Sequence, residues 1–185
     1  AGNDLILSSG NDITNSGSNI SSQNNLSLIA GGNITNQALI DYRINNISIN
    51  NNQEMAGSPL KGGASCCEAQ QSTAMGVLNS NANNIKSTLL AQGNISSGNN
   101  LIMMAGNNIT NIGSNLTAGG SALLQTANGD INITTAEARD KTTTTWRSKK
   151  KGGTTITDNI TNIASNFKAG GGITLNSGNN INITG

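Results

Sequence analysis

Five cationic or aromatic residues crowd positions 146–151: Trp146, Arg147, Lys149, Lys150 and Lys151. Guanidinium and ammonium groups beside an exposed indole suit an anionic ligand, whether phosphate, sulfated glycan or an anionic lipid headgroup. The same residues equally suit a solvated hairpin tip, where lysines keep a strand edge from pairing. The second reactive feature is the adjacent pair Cys66 and Cys67. Zinc would need further ligands at suitable spacing, and the chain has no histidine. A disulfide between neighbours is strained, because adjacent Cα atoms lie about 3.8 Å apart and disulfides span about 4.4 Å or more. Three readings remain for the pair: a strained vicinal disulfide, a link between chains, and buried thiols.

The acidic residues are scattered from Asp4 to Asp158 and never converge. Asp4 and Asp12 precede short apolar runs in "GND" phrases, where a short polar side chain serves a turn. Glu137 and Asp140 alternate with Arg139 and Lys141, a pattern of solvated charge rather than an acid/base pair. We therefore expect no catalytic centre, no metal site and no cofactor. A polysaccharide-binding or polysaccharide-active protein is the alternative reading.

The elements that must hold these residues are repetitive. Of 185 residues, 2% are aromatic and 10% charged, the net charge is +1, and there is one proline. Such a chain lacks the large side chains of a compact core, yet it also lacks the high net charge of a disordered one. Near-neutrality argues against nucleic acid as a partner, which would need a basic stripe. No apolar stretch approaches the roughly 20 residues of a membrane-spanning helix, and no signal peptide opens the chain.

What repeats is a polar phrase with single apolar pegs. Leu5, Ile13, Ile20, Leu26 and Ile34 follow one another at spacings of 8, 7, 6 and 8. Ile95, Leu101, Ile109, Leu116, Leu123 and Ile131 follow at 6, 8, 7, 7 and 8, and Ile160, Phe167, Ile173 and Ile181 at 7, 6 and 8. "NISSQNNLSLIAGGNIT" at 19–35 returns as "NISSGNNLIMMAGNNIT" at 94–110. A period of 21 or 22 in three unequal parts is too short for a propeller blade and lacks the helical 3.6 spacing. Three short strands per cycle predict an all-β fold, a right-handed parallel β-helix. In "LIL", "LSL", "LIM", "INI" and "ITL" the first and third residues point inward. Asn at matching corners can form ladders along the axis. About eight coils, stacked about 4.8 Å apart, would extend about 40 Å.

The cycle fails twice. From 51 to 83 the only proline, both cysteines and paired glycines mark an excursion, within which "SCCE" at 65–68 fits a capping box opening a short helix. From 136 to 157 two Thr-rich runs around a Lys/Gly turn predict a protruding β-hairpin. Coils are expected at 1–50, 84–135 and 158–185.

Phrases such as "AGNDLILSSGNDITNSGSNISS", "LIMMAGNNITNIGSNLTAGG" and "FKAGGGITLNSGNNINITG" resemble the haemagglutinin repeats of filamentous-haemagglutinin-like exoproteins. That family includes large adhesins, haemolysin-like exoproteins and carriers of contact-dependent growth-inhibition toxins in Gram-negative bacteria. The stretch from "INITTAEARDKTTTTWRSKKKGG" onward looks like the family's second repeat region, where an excursion rich in Ser, Thr and Lys interrupts a coil. The resemblance implies export through an outer-membrane two-partner-secretion transporter. It also implies a place at the bacterial surface, associated with the outer membrane, and a role as a non-catalytic stalk in adhesion or toxin delivery. Its partners would be a receptor, glycan or outer membrane on the target cell. Open coil ends and strand edges would allow self-association.

Overall fold

Each cycle places an apolar residue first and third in a short run and then supplies Gly or Asn, so the chain forms a brief strand and turns. The computed structural model describes residues 1–50, 79–147 and 151–184, with backbone alone at 49, 50, 79 and 80. The described residues form strands and no helix. The helix expected at 65–68 and the pair Cys66 and Cys67 lie outside them.

The first coil comprises β1 (Leu5–Ser9), β2 (Ile13–Ser16) and β3 (Asn19–Ser22). The second comprises β4 (Leu26–Ala30) and β5 (Ile34–Gln37). It is then interrupted by β6 (Leu39–Asn50) and β7 (Asn79–Ala91) and is completed by β8 (Asn94–Ser97). The third runs through β9 (Leu101–Ala105), β10 (Ile109–Ile112) and β11 (Asn115–Ala118). The fourth holds β12 (Ala122–Thr126) and β13 (Ile131–Thr134). It is interrupted by β14 (Ala136–Arg147) and β15 (Gly152–Ile163) and closes with β16 (Asn166–Ala169). β17 (Ile173–Asn176) and β18 (Ile181–Ile183) lie on a fifth.

Strands of successive coils pair in parallel on three faces, in the orders β1-β4-β9-β12-β17, β2-β5-β10-β13-β18 and β3-β8-β11-β16. This is a parallel β-helix. Leu5 pairs with Leu26 in the next coil and Leu26 with Leu101 in the one after, although the whole first excursion lies between the last two, so its insertion shifts no register. Two faces carry five strands, which spans about 19 Å at the strand spacing. Eight coils are expected from length, and the described residues form five, with two excursions between them.

The core is a single column of stacked side chains. Leu26, Leu28, Ile34, Ile95, Leu101, Met103, Ile109, Leu116, Leu124 and Ile131 are all but inaccessible, and Leu5, Leu7, Ile13, Ile20, Phe167 and Leu175 pack against them. Two expected pegs are displaced. Leu123 is half-buried, because Ala122 and Leu124 are the inward pair that align with Leu101 and Met103. Ile160 is exposed on β15, since the coil resumes only at Asn166.

Amides close the column. Asn15, Asn36 and Asn111 point inward at the third position of their strands, the place that Ile133 takes one coil later. Asn15 donates to Asn36 Oδ1 at 2.8 Å and Asn36 to Asn111 Oδ1 at 2.7 Å. They also donate to corner carbonyls, Asn15 to Ser18 and Asn111 to Ser114, which accept as well from the backbone N–H of Asn94 and of Asn166 in the coils that follow. Beside Ile133, which cannot do this, the Ser165 hydroxyl donates to Thr134 O at 2.6 Å.

Both excursions leave from the corner between the second and third faces. In the first and third coils that corner is Gly17 or Gly113, with φ of +57° and +56°. A Cβ at Gly113 would lie 2.6 Å from the Ala136 Cβ and 3.3 Å from the Ala38 Cβ, so only glycine fits between the two departure points. The first excursion begins earlier and ends later than expected, and the second begins at Ala136 as expected but ends later. β6 starts at Leu39, β7 runs to Ala91 and β15 to Ile163, because "LIDYRINNISIN" and "GGTTITDNITNI" alternate as strands without supplying corners.

Candidate functional site

Residues 43–86 and 140–159 form a compact unit separate from that of the coils. Its strands form one sheet in the order β15-β14-β7-β6, which joins hairpins that leave from coils two turns apart. β14 and β7 pair antiparallel over eight positions, from Asp140 opposite Lys86 to Arg147 opposite Asn79. Thr is frequent here because a β-branched side chain suits a pleated surface that is half exposed.

The candidate residues gather at one end of this sheet. Trp146 is half-buried, with Gly153 of the neighbouring strand against its ring, where a Cβ would lie 3.2 Å from the indole. The Thr145 and Thr154 hydroxyls are 3.2 Å apart. Asn81, opposite Thr145, accepts from the Ser48 hydroxyl at 2.7 Å. Asn81, Thr145, Trp146, Arg147, Gly152, Gly153 and Thr154 line an open depression of about 530 Å³. It offers an indole, a guanidinium, hydroxyls and an amide, a set that can hold a polar or anionic group against an apolar platform. Arg147 and Lys151 are exposed, whereas Lys149 and Lys150 lie outside the described residues, as do Cys66 and Cys67. Spacing could not have singled out Asn81, because it arrives from the other hairpin.

A second concavity, of about 480 Å³, lies on the third face of the coils and is lined by Asn94, Ser96, Asn115, Thr117, Asn166 and Lys168. Its floor is an amide ladder in which Asn94 donates to Asn19 at 2.8 Å, Asn115 to Asn94 at 2.7 Å and Asn166 to Asn115 at 2.9 Å. The carboxylates Asp4, Asp12 and Asp130 are rungs of two further ladders. Asp4 accepts from Asn25 N at 3.0 Å, Asp12 from Asn33 and Asp130 from Asn180 N at 2.9 Å. Short polar side chains at the corners therefore serve the turns, as their "GND" setting implied.

Residues 75–157, rather less than half of the chain, match the family described as Hemagglutinin repeat. The match supports a filamentous-haemagglutinin-like repeat region at these residues. The match takes in β7, the third coil and β14 and ends within β15, and so includes both strands that join the hairpins. No curated protein and no solved structure matched the chain. Proteins with this hemagglutinin repeat are secreted surface adhesins of a structural and generally non-enzymatic family, and the match suggests an adhesin-like exoprotein segment.

Proposed function

We propose that this hemagglutinin repeat region is a stalk segment whose coils supply stiffness and whose hairpin sheet makes contact with a target surface. The observation that carries the reading is the register. The pairing of Asn19 with Asn94, Asn94 with Asn115 and Asn115 with Asn166 runs unbroken through both insertions, so the coil is indifferent to what its corners extrude. A solenoid in which each coil touches its neighbours tolerates such additions, and its folding can propagate along the chain. Adhesion and contact-dependent toxin delivery both need a stiff spacer of this kind, with export by a two-partner-secretion transporter as the route to the surface. The target would be a glycan, a receptor or the outer membrane of another cell, met through Trp146, Arg147 and Lys149–Lys151.

The test replaces Ala38–Gln92 and Thr135–Ala164 each by one glycine, which reproduces the Gly17 and Gly113 corners. We expect the far-UV spectrum of the coils to remain and attachment to target cells to fall at least tenfold. Unchanged attachment would remove the sheet from the contact. Changing Lys149, Lys150 and Lys151 together to Ser should weaken binding to anionic vesicles or heparin beads, and undiminished binding returns those lysines to a solubilising role.

A further inference from the structure

We propose that Asn128 is a self-modification site, where the chain closes a succinimide with Gly129 that water opens to aspartate or isoaspartate. The corner between the first and second faces holds three residues in the second coil, Gly31 to Asn33, and three in the third, Gly106 to Asn108. In the fourth coil it holds four, Ala127 to Asp130, although Thr126 still pairs with Ala105 and Ile131 with Ile109. Gly129 is the added residue. Its neighbours donate to the coil before, Asn128 N to Gly106 O at 3.1 Å and Asp130 N to Asn108 Oδ1 at 2.8 Å, whereas the Gly129 N–H donates to no acceptor among the described residues.

Glycine is forced here, because a Cβ at 129 would press on Asn108 Oδ1 and lie 2.6 Å from Asn107 C. The corner thereby sets the chain's single Asn-Gly step, in which a residue without a Cβ leaves its nitrogen open to the preceding side chain. The Asn128 side chain is exposed and held by one long bond, Nδ2 to Gly106 O at 3.4 Å. The ladder asparagines differ on both counts: Asn33, Asn100 and Asn108 each have Oδ1 engaged by the next coil, and they precede Ile34, Leu101 and Ile109.

The Gly129 nitrogen, on losing its proton to hydroxide, bonds to Asn128 Cγ, and the side-chain nitrogen leaves as ammonia. Water then adds at either ring carbonyl. Opening at Cγ gives aspartate, and opening at the main-chain carbonyl gives isoaspartate, with the backbone routed through the side chain. Either product adds a carboxylate two residues from Asp130. Isoaspartate also lengthens the chain by one carbon ahead of Gly129, whose carbonyl accepts from the Thr126 and Ser177 hydroxyls at 2.7 and 2.9 Å and from Asn179 N at 3.2 Å. The modification therefore falls on the seam between the fourth and fifth coils.

The whole chain, kept folded at mildly alkaline pH beside a sample in urea, tests this by peptide mass spectrometry, with isoaspartyl methyltransferase to count isoaspartate. The expected result is conversion at Asn128 at least tenfold faster than at any other asparagine of the coils, with isoaspartate among the products. Hydroxylamine should cut the folded, aged chain between 128 and 129. In Asn128→Gln, whose side chain would have to close a larger ring, the methyl-accepting site and the cut should vanish while the far-UV spectrum is unchanged. Asn128 that stays intact in the folded chain while it converts in urea overturns the proposal, since the corner then holds the amide and the nitrogen apart. So does conversion spread evenly over the asparagines, or aspartate formed without isoaspartate, which would mean direct hydrolysis.

Discussion

Asparagine does three different jobs here, and its position decides which. At the third residue of a strand on the second face, Asn36 is fully buried between Asn15 and Asn111. At the first residue of a strand on the third face, Asn94 and Asn115 are half-buried in a ladder that water can reach. At the corners, Asn33 and Asn100 donate to the coil before and accept from the coil after. Burial sets the energy, since an unmet polar group inside costs about 1–3 kcal/mol while an exposed one finds water. Asn36→Leu keeps the volume but orphans Asn111 Oδ1 and withdraws a donor from the Asn115 carbonyl at 3.2 Å. We expect a loss of about 3 kcal/mol. Asn94→Ala should cost less than about 1 kcal/mol. Urea unfolding followed by circular dichroism checks both, and equal losses would mean that the buried ladder is no more valuable than the wet one. The inward Asn was not legible in the sequence. Alternation puts the third residue of "ITN" on the side of the first, as in "INI", but an amide at that place reads as a corner residue rather than as core.

At the scale of elements, the strand-and-corner pattern was legible wherever a peg was large. "LSL" and "LIM" give Leu26, Leu28, Leu101 and Met103 inward as the alternation requires. It misled where the peg is small, since Ala122 rather than Leu123 faces the core and only the register with Leu101 reveals it. It also misled where strands leave the coil, because Ile160 has the flanking residues of a coil peg and yet lies on β15. Trp146 and Arg147 were legible as a site from residue type alone; Asn81 was not, because pairing between hairpins is a long-range property. The corner glycines have a sharper role than turn residues in general. Gly113→Ala forces a left-handed alanine against the Ala136 Cβ, which should cost about 2 kcal/mol or more. Gly172→Ala, with no atom within 4 Å of the added methyl, should be nearly silent. Thermal midpoints of the two variants settle the point, and a neutral Gly113→Ala would show that the hairpin departures can spread to admit a methyl.

For the molecule as a whole, the alternation of coils matters more than any one of them. Coils one and three turn on Gly17 and Gly113, while coils two and four extrude a hairpin in the same place. Two coils rise by about 9.6 Å, and a hairpin contributes two strands that occupy about 4.8 Å each. Duplicating residues 101–121 inserts one whole coil, with its Gly113 corner, and preserves every coil register while moving the departure points of β7 and β14 apart by one strand width. We expect the amides of the coils to keep their protection in hydrogen exchange. Those at 79–86 and 140–147, which pair with each other across the junction, should lose at least tenfold. Duplicating two coils would open the junction further rather than restore it, because nothing then lies between the hairpins. If the single duplication leaves protection at 140–147 unchanged, the hairpins do not depend on the coil spacing and the glycine corners serve the turn alone.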